Sequence, residues 1–242
     1  MLAALCMQAR NREVRLRLIA TSDIHGNYLP YDYISQQPGK GGLSRVYTYV
    51  KLQREQLGRE QVVLLDNGDI LQGQPTAYYY NFIDTTSTHF CAQALNYIEY
   101  DAATIGNHDI ETGHAVYDRW VGECNFPMLG ANVVSTSTGR PYWKPYTIIE
   151  RNGIRIGVLG MITPSIPKWL PNNLWSGLRF DDLVETARRW LPEMRYKEHA
   201  DIIVGLFHSG IGNQNARGRM FENAALQVAR ICLLYTSPSP RD

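Results

Sequence analysis

Four separated segments of this chain carry side chains able to ligate hard cations. They are Asp23 with His25, Asp69 after Gly68, the run Gly106-Asn107-His108-Asp109, and His208 followed by Ser209 and Gly210. Carboxylate and amide oxygens mixed with imidazole nitrogens suit divalent first-row metals, and a carboxylate such as Asp69 has two oxygens with which to bridge a pair of them. Two cations about 3.5 to 4 Å apart lower the pKa of a shared water and neutralise phosphoryl oxygens, so the pattern reads as a di-metal hydrolase. The two-residue offset puts Asp23 and His25 on one side of an extended segment, where one ion can take both.

Each of these segments follows an apolar, strand-like run. Val14, Leu16, Leu18 and Ala20 alternate with Arg15, Arg17 and Ile19 and lead to Asp23. Leu43, Val46, Tyr47, Val50 and Leu57 recur near helical spacing, and the continuous apolar run 62–66, expected of a strand covered on both faces, delivers Asn67-Gly68-Asp69. A helix over 89–98 precedes a short strand over 102–105 that ends at Gly106, and a further helix runs toward Trp120. Residues 147–151 and 154–159 flank Asn152-Gly153, a strong hairpin signal that makes the sheet mixed. A helix over 181–195 begins with acids, and Pro192 disturbs its last turn. A buried strand over 201–207 ends at His208. Four candidate sites thus fall at carboxyl ends of strands, where open α/β sheets place their ligand crevices.

Other polar residues read as structural. Asp66 and Asp101 suit caps or Asx turns, and His89, His114 and His199 suit surface or core positions. Tyr78-Tyr79-Tyr80 point in different directions on any element, which favours packing over base stacking. Gly39-Lys40-Gly41-Gly42 lacks the spacing of a phosphate-binding loop and reads as a loop before a helix. The chain has 242 residues, 44% hydrophobic and 19% charged, with a net charge of +1. That suffices for one sizeable core and offers no basic stripe for a nucleic-acid polymer or an anionic membrane. No apolar run approaches the ~20 residues of a membrane span. Cys6, Cys91, Cys124 and Cys232 lack metal-site or disulfide spacing and read as plain thiols.

Ser22-Asp23-Ile24-His25-Gly26, Asp66-Asn67-Gly68-Asp69, Gly106-Asn107-His108-Asp109 and Phe207-His208-Ser209-Gly210 together resemble the calcineurin-like metallophosphoesterases. The longer run Asp66 to Gly73, Ala131-Asn132-Val133, Thr138 to Tyr142 and Glu185 to Arg188 resemble the 5'-nucleotidase and 2',3'-cyclic-nucleotide phosphodiesterase branch. The resemblance covers residues 14–230 and implies an α/β fold, a four-layer α/β/β/α sandwich with mixed sheets. Carried over by position, it implies that Asp23 and His25 hold a first metal, Asp69 bridges, and Asn107 and His208 hold a second. The two divalent ions would be manganese, zinc, cobalt or iron. Asn107 and His108 would also meet the substrate. His108 resembles the family histidine that stabilises the transition state or protonates the leaving oxygen, with Glu111 orienting it where the family's nucleotidases often have Asp.

The reaction so implied is in-line hydrolysis of a small nucleotide phosphoester, 5', 3' or 2',3'-cyclic, by a metal-activated hydroxide. The family takes two further ligands from a Gly-His-x-His or Gly-His-x-Gln loop and stacks the nucleobase on a C-terminal domain, and this chain contains neither. The expected organisation is therefore a signal-peptide remnant and linker over 1–13, an incomplete catalytic domain over 14–230 and a non-native Ser-Pro tail over 231–242. A leader of that kind implies a periplasmic or extracellular parent. Competing readings are a metal-deficient, inactive fragment and a phosphoesterase for polynucleotides or phosphoproteins, the latter disfavoured by the missing basic stripe.

Overall fold

A computed structural model describes residues 13–33, 35–212 and 222–235. Most of the expected leader and linker (residues 1–12) and residues 236–242 of the expected tail lie outside them. Strands in chain order are β1 (Arg17–Thr21), β2 (Tyr31–Asp32), β3 (Gln37–Pro38), β4 (Val62–Asp66), β5 (Ala102–Thr104) and β6 (Met128–Leu129). They continue as β7 (Val133–Ser135), β8 (Tyr146–Arg151), β9 (Ile154–Ile162), β10 (Leu178–Phe180) and β11 (Ile202–His208). Helices are α1 (Leu43–Leu57), α2 (Pro75–Tyr78), α3 (Phe90–Ile98), α4 (Asn107–Ile110), α5 (His114–Glu123), α6 (Ile166–Trp169), α7 (Leu183–Pro192) and α8 (Ala225–Tyr235).

The first sheet is parallel, in the order β1-β4-β5-β6, and the second is mixed, in the order β11-β9-β8. Asn152 and Gly153, at φ 52° and 78°, form the tight turn that joins β8 to β9 antiparallel, which is why the second sheet is mixed. β2 and β3 form a small separate ribbon, as do β7 and β10.

Alternation along the strands sorts the core into layers. In β4, Leu64 packs in one cluster with Val50 of α1, Leu95 of α3 and Trp120 of α5, while Val63 and Leu65 point the other way, toward Ile149, Ile156, Val158 and Leu206 of the second sheet. Leu159 and Met161 of β9 turn to Leu183, Ala187 and Leu191 of α7 and to Val228 of α8. The order is helices, sheet, sheet, helices, and every residue of β4 is buried, as its unbroken apolar run requires. Each such buried aliphatic side chain contributes roughly 1.5–3 kcal/mol relative to exposure. At Gly160 a Cβ would overlap Leu129 Cβ, so glycine lets the two sheets close there.

The remaining elements depart modestly from expectation. β1 begins at Arg17 rather than Val14. Asp182 caps α7, accepting from the N–H groups of Val184 (2.9 Å) and Glu185 (3.0 Å). α7 ends at Pro192, and the chain continues through one wide π-helical turn, Glu193–Lys197. α8 runs past Arg230 into the stretch read from sequence as tail, and Ile231 packs beside the cluster that holds Val228.

Candidate metal centre and acid–base pair

The loops after β1 and β4 are laced together by main-chain bonds: Asp23 N–H to Gly68 O (3.0 Å), His25 N–H to Asp69 O (2.9 Å), Gly26 N–H to Ile70 O (2.9 Å) and Asn67 N–H to Thr21 O (2.8 Å). This lacing holds Asp23, His25 and Asp69 at φ 55°, 49° and 60°, left-handed conformations that cost side-chain-bearing residues energy. Asp66, buried at the end of β4, accepts from Thr21 Oγ1 (2.6 Å) and Gly68 N–H (3.0 Å) and so shapes the turn. Burial pushes its carboxyl up to about 7, against the opposing hydrogen bonds.

Asp23, Asp69 and His208 each present a ligand atom, all within 4.8 Å of one another. His208 Nε2 lies 3.1 Å from Asp69 Oδ2 and 3.1 Å from Asn107 Oδ1, and His25 Nε2 lies 3.9 Å from Asp23 Oδ1. The other ring nitrogen, His208 Nδ1, donates to Asn67 O at 2.6 Å, which aims Nε2 at the cluster. Burial alone would lower the His208 pKa, but the hydrogen bond and charge of Asp69 outweigh it and raise it to about 9. Asp69 is shifted the opposite way: burial would raise its pKa, and His208 with the His108 N–H hold it below the usual carboxylate range.

The donor set fits divalent cations. Carboxylate oxygens, an amide oxygen and an imidazole nitrogen converge, a donor set that would hold such a cation once Nε2 is free of its proton. Asn67 Oδ1 and Ser209 Oγ are buried without a hydrogen-bond partner. Both residues line, with Asp23, Asn107 and His208, a cavity of about 280 Å³, so a polar occupant suits it.

His108 is not among the residues that line that cavity. Its backbone N–H donates to Asp69 Oδ1 at 2.8 Å, and its ring Nδ1 lies 2.6 Å from Glu111 Oε2. Gln72 Nε2 donates to the same Glu111 oxygen at 3.1 Å. The His25 and His108 rings meet edge to face, with centroids 5.3 Å apart. All seven residues singled out from sequence therefore lie in one region.

Three supporting residues were missed. Asp109, noted only as part of a motif, is buried and accepts four backbone N–H groups: Asp69 (2.9 Å), Ile70 (2.9 Å), Leu71 (2.9 Å) and Gly106 (2.8 Å). Its place three residues after Gly106, at the start of α4, was the available signal. Gln72 was noted only within the run Asp66 to Gly73 that carries the resemblance, and was given no role. Asn132 bonds both the N–H (3.0 Å) and the C=O (2.7 Å) of Ile162 and so ties the loop after β6 to the end of β9. At Gly106 a Cβ would overlap the Asp69 carboxylate, so only glycine admits it.

Several side readings are corrected or filled in. Of the three tyrosines expected to pack, Tyr80 is half-buried and stacks on Phe90 with centroids 5.9 Å apart, whereas Tyr78 and Tyr79 touch Phe82 and Tyr80 but stay exposed. Asp101 bonds Arg59, Arg151 and the Leu64 N–H. Cys91 and Cys124 are free thiols, and burial pushes Cys124 up to about 12; Cys6 and the Cys232 side chain lie outside the described residues. Among the described residues no helix is long and apolar enough to cross a membrane.

The profile of the calcineurin-like phosphoesterase family matches residues 16–235. The chain belongs to this family. Within it, the chain is 35% identical to the trifunctional nucleotide phosphoesterase YfkN of Bacillus subtilis, over 90% of its own length and 16% of that protein's. It is 32% identical to a 2',3'-cyclic-nucleotide 2'-phosphodiesterase/3'-nucleotidase of Yersinia enterocolitica, over 92% of its length and 35% of the relative's. The crystal structure of the calcineurin-like phosphoesterase YfkN superposes with a TM-score of 0.79 at 34% identity, covering 90% of this chain and 69% of that one. This phosphoesterase chain thus spans about a third or less of the curated relatives' lengths, and its mixed α/β fold is the one they share.

Proposed function

We propose that this chain carries the catalytic site of a di-metal hydrolase of nucleotide phosphoesters. The observation that carries the reading is His108, whose main-chain N–H bonds Asp69 while its ring bonds Glu111, so that one residue joins the ligand cluster to an acid–base pair. In this reading Asp23 and His25 would hold one cation, Asn107 and His208 would hold the other, and Asp69 would serve both. When bound, divalent cations supply positive charge against the phosphoryl oxygens and lower the pKa of a coordinated water.

The chain's own residues do the rest. Glu111 keeps the His108 ring oriented and, when the ring is protonated, stabilises its charge. His108 then donates a proton to the oxygen that leaves phosphorus, while Asn107 binds a phosphoryl oxygen through its amide. Asp109 keeps the Asp69 loop in place during the cycle. The names of the relatives, a nucleotide phosphoesterase and a cyclic phosphodiesterase/3'-nucleotidase, support a mononucleotide substrate. An extracytoplasmic parent belongs to the same proposal.

Elemental analysis of the purified chain, run beside hydrolysis of AMP, 3'-AMP and 2',3'-cyclic AMP with added manganese, tests it. Two metals per chain with turnover is the expected result, and the preferred ester names the subgroup. One metal or none, with no turnover of any ester, would overturn it.

A further inference from the structure

The pair of His108 and Glu111 has a third member. Gln72 Nε2 donates to Glu111 Oε2 at 3.1 Å, and that oxygen is the one His108 Nδ1 meets at 2.6 Å. A carboxylate oxygen has two lone pairs, so it accepts from both at once. Glu111 needs such a hold. The side chains of His108 and Glu111 are 37% and 40% exposed, and an exposed ion pair gains little over the rotamer freedom it freezes.

The main chain on both sides of Gln72 is fixed. Leu71 gives its N–H to Asp109 Oδ1 at 2.9 Å, and its C=O accepts from the buried Asn81 Nδ2 at 2.7 Å. Asn81 is held in turn by His89, 2.8 Å away. On the other side Gly73, at φ 115°, runs so close to the first loop that a Cβ there would come within 2.6 Å of the His25 carbonyl oxygen. Asp109, which anchors Leu71, stands between His108 and Glu111 in sequence. Donor and acceptor thus share one support, and the bond between them closes a ring of contacts rather than linking two free arms.

An amide suits the task. It is a neutral donor that orients the carboxylate without cancelling its charge, as a Lys or Arg would, so that charge stays available to the His108 ring. Because a carboxylate only accepts, Nδ1 donates within the pair and Nε2 is the ring nitrogen left to meet substrate. We propose that Gln72 is a positioning residue of the hydrolytic site, whose amide holds the Glu111 carboxylate against the His108 ring. The proposal rests on the hydrolytic reading for the role of His108 as proton donor.

Gln72→Met in the full chain keeps the length of the side chain and removes its donor; Gln72→Ala, which removes the arm, should behave alike. Two readouts separate failure of this inference from failure of the hydrolytic reading. The first needs no turnover. The Nδ1 proton of His108, in its short bond to Glu111, should give a downfield proton resonance that is absent from His108→Gln. Both Gln72 variants should broaden or abolish it while metal content stays as in wild type. The second is kinetic. Gln72→Met should lower kcat about tenfold, with KM unchanged, for the ester preferred among AMP, 3'-AMP and 2',3'-cyclic AMP, the scale of one hydrogen bond to a charged group. In a Glu111→Ala background the same substitution should cause no further loss, because Gln72 acts through that carboxylate. A resonance that depends on Gln72, in a chain that hydrolyses none of the three esters, supports the hold on Glu111 and sinks the hydrolytic reading. No such resonance in wild type, or the same resonance in both Gln72 variants, overturns the inference. So does an unchanged kcat, or an equal fall with and without the Glu111 carboxylate.

Discussion

The Asp109 carboxylate accepts the Asp69 backbone N–H at 2.9 Å, so one buried acid positions another. The same oxygen, Oδ2, takes the Gly106 N–H, and Oδ1 takes those of Ile70 and Leu71. Asp109→Asn keeps the shape but turns an NH2 toward two of these four donors. The expected loss is about 1–3 kcal/mol, the cost of leaving buried donors unpaired, read as a lower denaturation midpoint. An unchanged midpoint would remove Asp109 from its role as the support of the Asp69 loop.

Metal binding should stabilise the fold, because the ligands come from four segments that only the folded chain brings together. Manganese at about 100 times its dissociation constant should add about 2.7 kcal/mol, visible as a higher melting temperature that a chelator reverses. His208→Ala and Asp69→Asn should abolish most of this shift. A shift of equal size in both variants would show that manganese binds elsewhere.

The acid–base pair should be separable from the metal ligands. His108→Ala is expected to lower kcat about 10²- to 10⁴-fold, the usual range for a lost proton donor, and Glu111→Gln to lower it less. Neither should change metal content, since His108 reaches Asp69 through its main chain. Loss of metal in Glu111→Gln would mean the carboxylate supports the centre instead.

His89 should make the protein sensitive to mild acid. It is buried, bonds Asn81 at 2.8 Å and accepts from the Cys91 N–H at 3.2 Å. Burial, aided by the charge of Arg119, lowers its pKa to about 4. The unfolded chain, with a value near ~6.5, binds a proton that the native state excludes. This contribution is complete above pH ~6.5 and falls away toward about 4, by roughly 3 kcal/mol in all. His89→Gln should flatten stability over that window; parallel wild-type and variant curves would assign the acid loss to other groups.

Much of the architecture was legible because it follows from local pattern. The apolar run of β4, the Asn152-Gly153 turn and the strand leading to His208 specify their own periods and ends, and the motif residues lie just beyond them. The α4 region was less so: Asp109 does its bonding to a loop 40 residues away in sequence, and periodicity carries no record of such a partner.

The amino-acid order alone determined which donors exist and that each follows a strand, since ligand chemistry and strand alternation are properties of residue type and spacing. The family resemblance had already paired Asn107 with His208, and the structure brings them to 3.1 Å across 101 residues; only the tertiary structure decided that Gln72 shares Glu111 with His108 and that Tyr78 stays exposed while Tyr80 packs. Such contacts depend on how two sheets stack and which loops their ends bring together. A chain with the same local patterns could satisfy them in other arrangements; the packing between the layers selects this one.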